Sequence, residues 1–304
     1  MKKGLWYAIL AYTAWGLLPI YWKSFETLLA GEILAHRVTC SFVFMAILML
    51  VGRGKMEQLR QMFTNRKTLA VVAASSILIS SNWLIFIWAV NNGHVIETSL
   101  GYYITPLFNV MLAVLFLREK PSAGQWVAIA LAAAGVLVAT VDYGRFPWVS
   151  LSLAASFGVY SLVKKKVSYE ATIGLAGETA VVFPIAVGYI IYLHLTHHEG
   201  AWSLPPVPFV LLLLSGAATA MPLLWFAKAA VRLPLSMLGF IQYIGPSITL
   251  ILSIFVFKEN FTPTLFISFT LIWGALIVYA LASVRVARTA SAAAAASTSA
   301  VEAR

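Results

Sequence analysis

The chain has 304 residues, of which 61% are hydrophobic and 11% charged, against roughly a quarter charged in ordinary soluble domains. That balance excludes a soluble fold. The 21 Lys and Arg against 11 Asp and Glu give a net charge of +10, but the positive residues sit between apolar runs, not on one face, so the chain is read as having no nucleic-acid partner. A single cysteine, Cys40, excludes a disulfide framework or a thiolate metal cluster.

A helix needs about 20 residues to cross the hydrocarbon core. Runs free of Asp, Glu, Lys and Arg cover 4–22, 38–52, 68–96, 98–117, 121–141, 146–163, 179–198, 200–227, 233–257 and 260–284. The second run is extended by Glu32 to Arg37, read as the polar start of the same helix. Strand alternation is absent and lipid tolerates no unpaired backbone, which predicts an all-α integral membrane protein with ten transmembrane helices. Lys2 and Lys3 followed by Gly4-Leu5-Trp6-Tyr7 resemble a leader, but no small-residue cleavage site follows, and the first helix is expected to be retained. The Ala/Ser-rich stretch 285–304 is expected to be a disordered cytoplasmic tail.

Orientation follows from the connections. Lys2, Lys3, Arg53, Lys55, Arg60, Arg66, Lys67, Arg118, Lys120, Lys164, Lys165, Lys166, Lys228, Arg232, Arg285, Arg288 and Arg304 fall on one side, against Lys23, Arg145 and Lys258 on the other. The positive-inside rule then puts both termini in the cytoplasm, with the basic loops against an anionic leaflet of the lipid bilayer.

The chain also repeats. A shift of 140 places Tyr103, Ile104, Pro106, Leu112 and Glu119 over Tyr243, Ile244, Pro246, Leu252 and Glu259, with Arg118 over Lys258. Residues 1–142 and 143–284 then form two five-helix units. Five is odd, so the second unit is inverted, an arrangement typical of secondary transporters with a midplane site.

Arg118-Glu119-Lys120-Pro121, its echo Lys258-Glu259-Asn260 and the two five-helix units resemble the drug/metabolite transporter superfamily with its EamA-type repeat. Gly31-Glu32-Ile33-Leu34-Ala35-His36-Arg37 and Ser81-Asn82-Trp83 are similar to its RarD subgroup. The resemblance covers about residues 3–284 and implies an inner-membrane transporter, often an exporter of amino-acid-like or drug-like small molecules, chloramphenicol-like compounds among them. The second half has no His-Arg pair, and Glu178 stands opposite His36.

Charges inside spans are costly and so become candidate functional groups. Glu32 and His36 lie one turn apart on one face, while Arg37 is rotated by about 100°. With Glu178 they are candidates for proton coupling or gating. An interfacial position for Glu32 and Glu178 and a structural pair for Arg37 are the bland alternatives.

Tyr102, Pro106 and Asn109 fall at i, i+4 and i+7, and Gln242, Pro246 and Thr249 repeat the pattern. Each proline is expected to leave the carbonyl of Tyr102 or Gln242 open near the midplane. Together with Tyr103, Tyr243, Asn82 and Trp83 these residues are the candidate substrate cavity; proline kinks satisfied by neighbouring helices are the alternative.

Gly124, Ala128, Ala132, Gly135, Gly274 and Ala275 read as close helix packing that also permits a homodimer. Glu119 and Glu259 read as N-terminal anions of the helices that follow them. His194, His197, His198 and Glu199 sit at a helix end and are not assigned a metal. No cofactor is implied, and no nucleotide-binding or catalytic motif is present. The expected function is therefore transport of a small-molecule substrate, with no enzymatic activity. An integral membrane transferase acting on lipid-linked substrates, or a channel or scaffold, are the competing classes.

Overall fold

The computed structural model describes residues 2–51, 55–117, 122–143, 146–164, 170–196, 200–230, 232–233 and 241–302. Among them there is no strand. In chain order the helices are α1 (Lys2–Lys23), α2 (Ala30–Val51), α3 (Lys55–Thr64), α4 (Arg66–Asn91), α5 (Val95–Leu117), α6 (Ala123–Tyr143), α7 (Trp148–Lys164) and α8 (Ala171–Leu195). A 3-10 turn (Gly200–Ser203) then leads to α9 (Pro206–Leu213), α10 (Ser215–Ala230), α11 (Ile244–Phe255) and α12 (Pro263–Glu302). The Ala/Ser-rich stretch that composition assigns to a disordered tail continues α12 as helix to Glu302, as the high helix propensity of alanine allows.

Helices α2, α4 and α8, most of α5 and α6, and the first half of α12 are each long and apolar enough to cross a bilayer. The pair α9 and α10, bent by 43°, adds a seventh span if counted as one. By length α7 and α11 fall short. Helix α1, whose tryptophans and tyrosines rank low on hydropathy, is also outside this set.

The chain divides into two compact units. Unit 1 comprises residues 1–102 and 149–260. There α1 packs on α10 and α11, α2 on α8 and α10, and α4 on α2 and α8. Its cores are one cluster around Trp22, Phe25, Ile33, Phe86, Ile87 and Leu153 and another around Met45, Met49, Met62 and Ile173. Gly216 lets α10 ride on the backbone of α2, since a Cβ there would fall 2.2 Å from the carbonyl oxygen of Cys40. Helix α3, between two charged connections, is amphipathic, and its Met62 is fully buried against Gly177.

Unit 2 comprises residues 103–148 and 261–304. Helices α6 and α12 pack along their lengths. A Cβ on Gly124 would sit 2.7 Å from that of Ala282, and one on Gly135 would sit 2.8 Å from Ile272 Cγ1. Ser268 donates to the carbonyl of Gly135 at 2.7 Å, a cross-helix bond that this close approach makes available. Gly274 meets nothing within 4 Å, so the packing role read for it from sequence belongs to Gly124 and Gly135.

Candidate functional site

The buried charges of unit 1 begin on α2. Glu32 is 4% exposed and its Oε1 accepts from the Ala201 amide at 2.7 Å. The carboxylate thereby caps the 3-10 turn. Gly200, at φ +42, makes room, because a Cβ there would lie 2.2 Å from Glu32 Oε1. His36, one turn on, is half-buried.

Arg37 points elsewhere, as its 100° offset requires. It is 4% exposed. Its Nε donates to Thr219 Oγ1 of α10 at 3.1 Å, and that hydroxyl in turn donates to the Ser215 carbonyl at 2.9 Å. Its guanidinium lies between two indoles, 4.0 Å from the Trp83 ring centroid and 4.7 Å from that of Trp22. Tyr21 and Tyr102 are the titratable groups facing it. Among the described residues no carboxylate forms an ion pair with it.

Trp83 also walls a narrow crevice, too tight in this structure to admit a water molecule. Val38, Ile79 and Ser80 line it from α2 and α4, and Glu178 and Val182 from α8. Glu178 is 4% exposed and accepts from the Tyr160 hydroxyl at 3.2 Å. Helices α2, α4, α8 and α10 thus bring Arg37, Trp83 and Glu178 into one neighbourhood of unit 1, which no sequence spacing relates.

Other expected cavity residues are placed differently. Asn82 Nδ2 donates to the Leu153 carbonyl at 3.1 Å and to Ser156 Oγ at 2.9 Å, tying α4 to α7. Tyr102 is half-buried beside Phe86. Tyr103, in unit 2, packs edge-on against Phe269 and Trp273. Pro106 and Asn109, also in unit 2, are half-buried within α5.

Gln242 and Tyr243 form a turn before α11. Pro246 therefore sits in the first turn of that helix, where a missing N–H breaks no helical bond. The Gln242 carbonyl, expected to stay open, accepts from the Gly245 amide at 3.3 Å. The Pro246 carbonyl accepts from Ser99 Oγ at 2.9 Å, and Thr249 Oγ1 donates to the Gly16 carbonyl at 3.3 Å. The mirrored stripe is thus one mid-helix proline and one first-turn proline.

Glu259 precedes α12, yet its carboxylate accepts from the amides of Val95 and Ile96, at 2.6 and 2.7 Å, and so caps α5. Burial pushes this carboxyl above its ordinary range and the two amide bonds pull it back. Glu119, Arg118, Lys120, Pro121, His197, His198 and Glu199 lie outside the described residues, as do the cytoplasmic-side charges Arg53, Lys165, Lys166 and Arg304 and the outer Arg145. Trp22, Thr219 and Ser41 of the Arg37 neighbourhood are absent from any sequence motif. The one available signal is that Arg37 is a lone charge needing neighbours.

A helical chain of apolar spans with charges buried in one unit defines an integral membrane protein with an internal polar site. Residues 2–141 match the EamA-like transporter family. The chain is 45% identical over 287 residues to "Uncharacterized transporter YojE" of Bacillus subtilis (strain 168), covering 93% of this chain and 95% of that one. It is 40% identical over 292 residues to "Protein RarD" of Escherichia coli (strain K12), covering 95% and 98%. At 27% identity over 290 residues it matches "Chloramphenicol-sensitive protein RarD" of Pseudomonas aeruginosa, covering 94% and 96%. A crystal structure 16% identical to it, with a TM-score of 0.59, covers 92% of this chain and 98% of that one and shares the fold. The chain belongs to the EamA-like transporter family of the drug/metabolite transporter superfamily, in its RarD subgroup.

Proposed function

We propose that the protein is a secondary transporter, not an enzyme, that exports small amphipathic metabolites or drugs, such as amino acids or chloramphenicol-like compounds, by alternating access. In this reading ten helices span the plasma membrane of a bacterium, both termini are cytoplasmic, and the two five-helix halves are inverted repeats. The weak helices α1, α7 and α11 cross as members of the bundle, since a helix buried among others need not be as apolar as one facing lipid. The observation that carries the reading is Arg37, a buried charge in a bundle of apolar helices, set against two indoles, one of which also lines a narrow crevice. A scaffold has no use for so costly a group. The names of the relatives support transport as the activity.

Proton coupling falls on His36 and Glu178, because Glu32 is engaged as a cap. Glu178→Gln should then abolish the dependence of flux on a pH gradient while leaving counterflow intact; unaltered proton dependence removes Glu178 from that role.

Counterflow in proteoliposomes tests the reading without an assumed driving force. Pooled labelled amino acids, nucleosides and amphenicols are exchanged by wild type and by a Trp83→Ala/Tyr102→Ala variant. The expected result is saturable exchange lost in the variant. Exchange of no solute by folded wild type contradicts transport of these classes.

A further inference from the structure

The charge of Arg37 is faced by two indoles, the Thr219 hydroxyl and the phenols of Tyr21 and Tyr102, and among the described residues it forms no ion pair with a carboxylate. Trp22 and Trp83 stack on its faces. Thr219 takes one N–H, that of Nε. A guanidinium carries five N–H donors and no acceptor, and among the described residues only the Nε–H has a protein hydrogen bond.

The surroundings add donors. Trp22 is fully buried and its Nε1, which can only donate, has no acceptor. Ser41, one turn beyond Arg37 on the same face of α2, is also fully buried and its hydroxyl is without a partner. Buried donors without acceptors are rare in folded proteins, because each costs its desolvation. A negatively charged acceptor is the group that buried donors beside a cation favour.

We propose that Arg37, with the Trp22 indole N–H and the Ser41 hydroxyl, is the recognition site for a single carboxylate on the transported solute. The proposal rests on the transport reading and names the substrate class within it: an organic monocarboxylate whose apolar body lies along the Trp83 ring. One guanidinium balances one negative charge, and Arg is the side chain whose planar fork matches a carboxylate. A phosphate dianion is disfavoured, since its second charge would stay uncompensated near the Glu178 carboxylate that lines the crevice. The indoles that clamp the guanidinium hold its plane fixed before the solute arrives, which lowers the ordering cost of binding.

The test compares isosteres. Purified protein in nanodiscs is titrated with phenylacetate, with phenylacetamide and with inorganic phosphate, reading tryptophan fluorescence and the unfolding midpoint. Wild type should bind the carboxylate roughly ten- to a hundredfold more tightly than the amide, the range of a charge-assisted hydrogen bond. Arg37→Gln should bring that ratio to about one, and Arg37→Lys should keep part of it. Equal binding of acid and amide by wild type overturns the proposal, as does a preference for phosphate, no binding of the acid at all, or an unchanged ratio in Arg37→Gln. Where Arg37→Gln does not fold, the wild-type ratio alone decides. Counterflow of the same acid separates the two readings. Binding without exchange removes transport and leaves the carboxylate site, whereas saturable exchange of a neutral solute unaffected by Arg37→Gln removes the carboxylate site and leaves transport.

Discussion

The two units solve the problem of holding helices together in opposite ways. Among the described residues every buried Glu or Arg lies in unit 1, namely Glu32, Arg37, Glu97 and Glu178. Unit 2 has buried polar groups only at Thr105 and Ser268 among the described residues. It relies instead on missing side chains, with Gly124 and Gly135 letting α6 and α12 approach. The first design spends stability on buried charges that the proposed transport uses, and the second has none among the described residues. Function should therefore be separable from stability in unit 1 and inseparable from it in unit 2.

The largest effect should come where unit 1 borrows the device of unit 2. Gly216→Ala drives a Cβ into the Cys40 backbone and should lower stability by about 3 kcal/mol or more. Thermal unfolding in detergent checks this, and a fold unchanged within error would show that α2 and α10 do not depend on that approach.

Next comes Gly135→Ala in unit 2, where Ile272 and the Ser268 carbonyl stand within 2.9 Å of the new atom; overpacking of this kind costs about 1–3 kcal/mol. Any loss of flux in this variant should follow its loss of folded protein, while Gly274→Ala, facing open space, should change stability by no more than about 0.5 kcal/mol. Equal damage from both glycines would contradict the packing assigned to unit 2.

Glu259→Ala removes both acceptors from the first turn of α5 and should cost about 1–3 kcal/mol, the worth of charge-assisted hydrogen bonds to backbone amides. Protection of the Val95 and Ile96 amides from hydrogen exchange reads it directly, and full protection in the variant would mean that the cap is replaced from elsewhere.

The smallest effect lies at the surface. Lys55 donates to Glu170 at 2.8 Å, and Thr172 donates to the same oxygen at 2.7 Å, holding that carboxyl below its ordinary range. A depressed carboxyl contributes stability above its unfolded pKa of about 4.3 and loses it as pH falls through the lower folded value. Because Glu170 is 54% exposed, the loss between about pH 5 and pH 3 should stay under about 1 kcal/mol. Lys55→Ala should flatten that slope, and a slope unchanged in the variant would show that the pair adds nothing.

The ten charge-poor runs made the helices legible, because a missing charge over about 20 residues is a statement about solvent. The same scan misses α3, whose charges hide an apolar stripe ending at Met62. Arg37 stands out as a lone charge, but its partners do not, since Thr219 lies 182 residues away and helix packing alone joins them. The prolines teach a sharper lesson. Pro106 and Pro246 share their spacing, yet their meaning depends on where each helix begins, and the turn at Gln242 and Tyr243 that settles it has no counterpart before Pro106. Likewise Glu259 was legible as a cap, but the helix it caps begins 164 residues earlier, a contact made by the fold and not by neighbourhood in sequence.

One measurement bears most directly on the separation of site from scaffold. Counterflow of a solute that wild type exchanges is compared in Trp83→Phe and Trp273→Phe, each normalised to folded protein. Trp83 stacks on the Arg37 guanidinium in unit 1, and Trp273 packs on Tyr103 and Phe269 in unit 2. The account predicts exchange lowered severalfold in the first, since phenylalanine keeps a ring face but only part of the cation–π attraction of tryptophan, and unchanged exchange in the second. Equal exchange in both, or loss only in Trp273→Phe, would place the site outside the buried charges of unit 1.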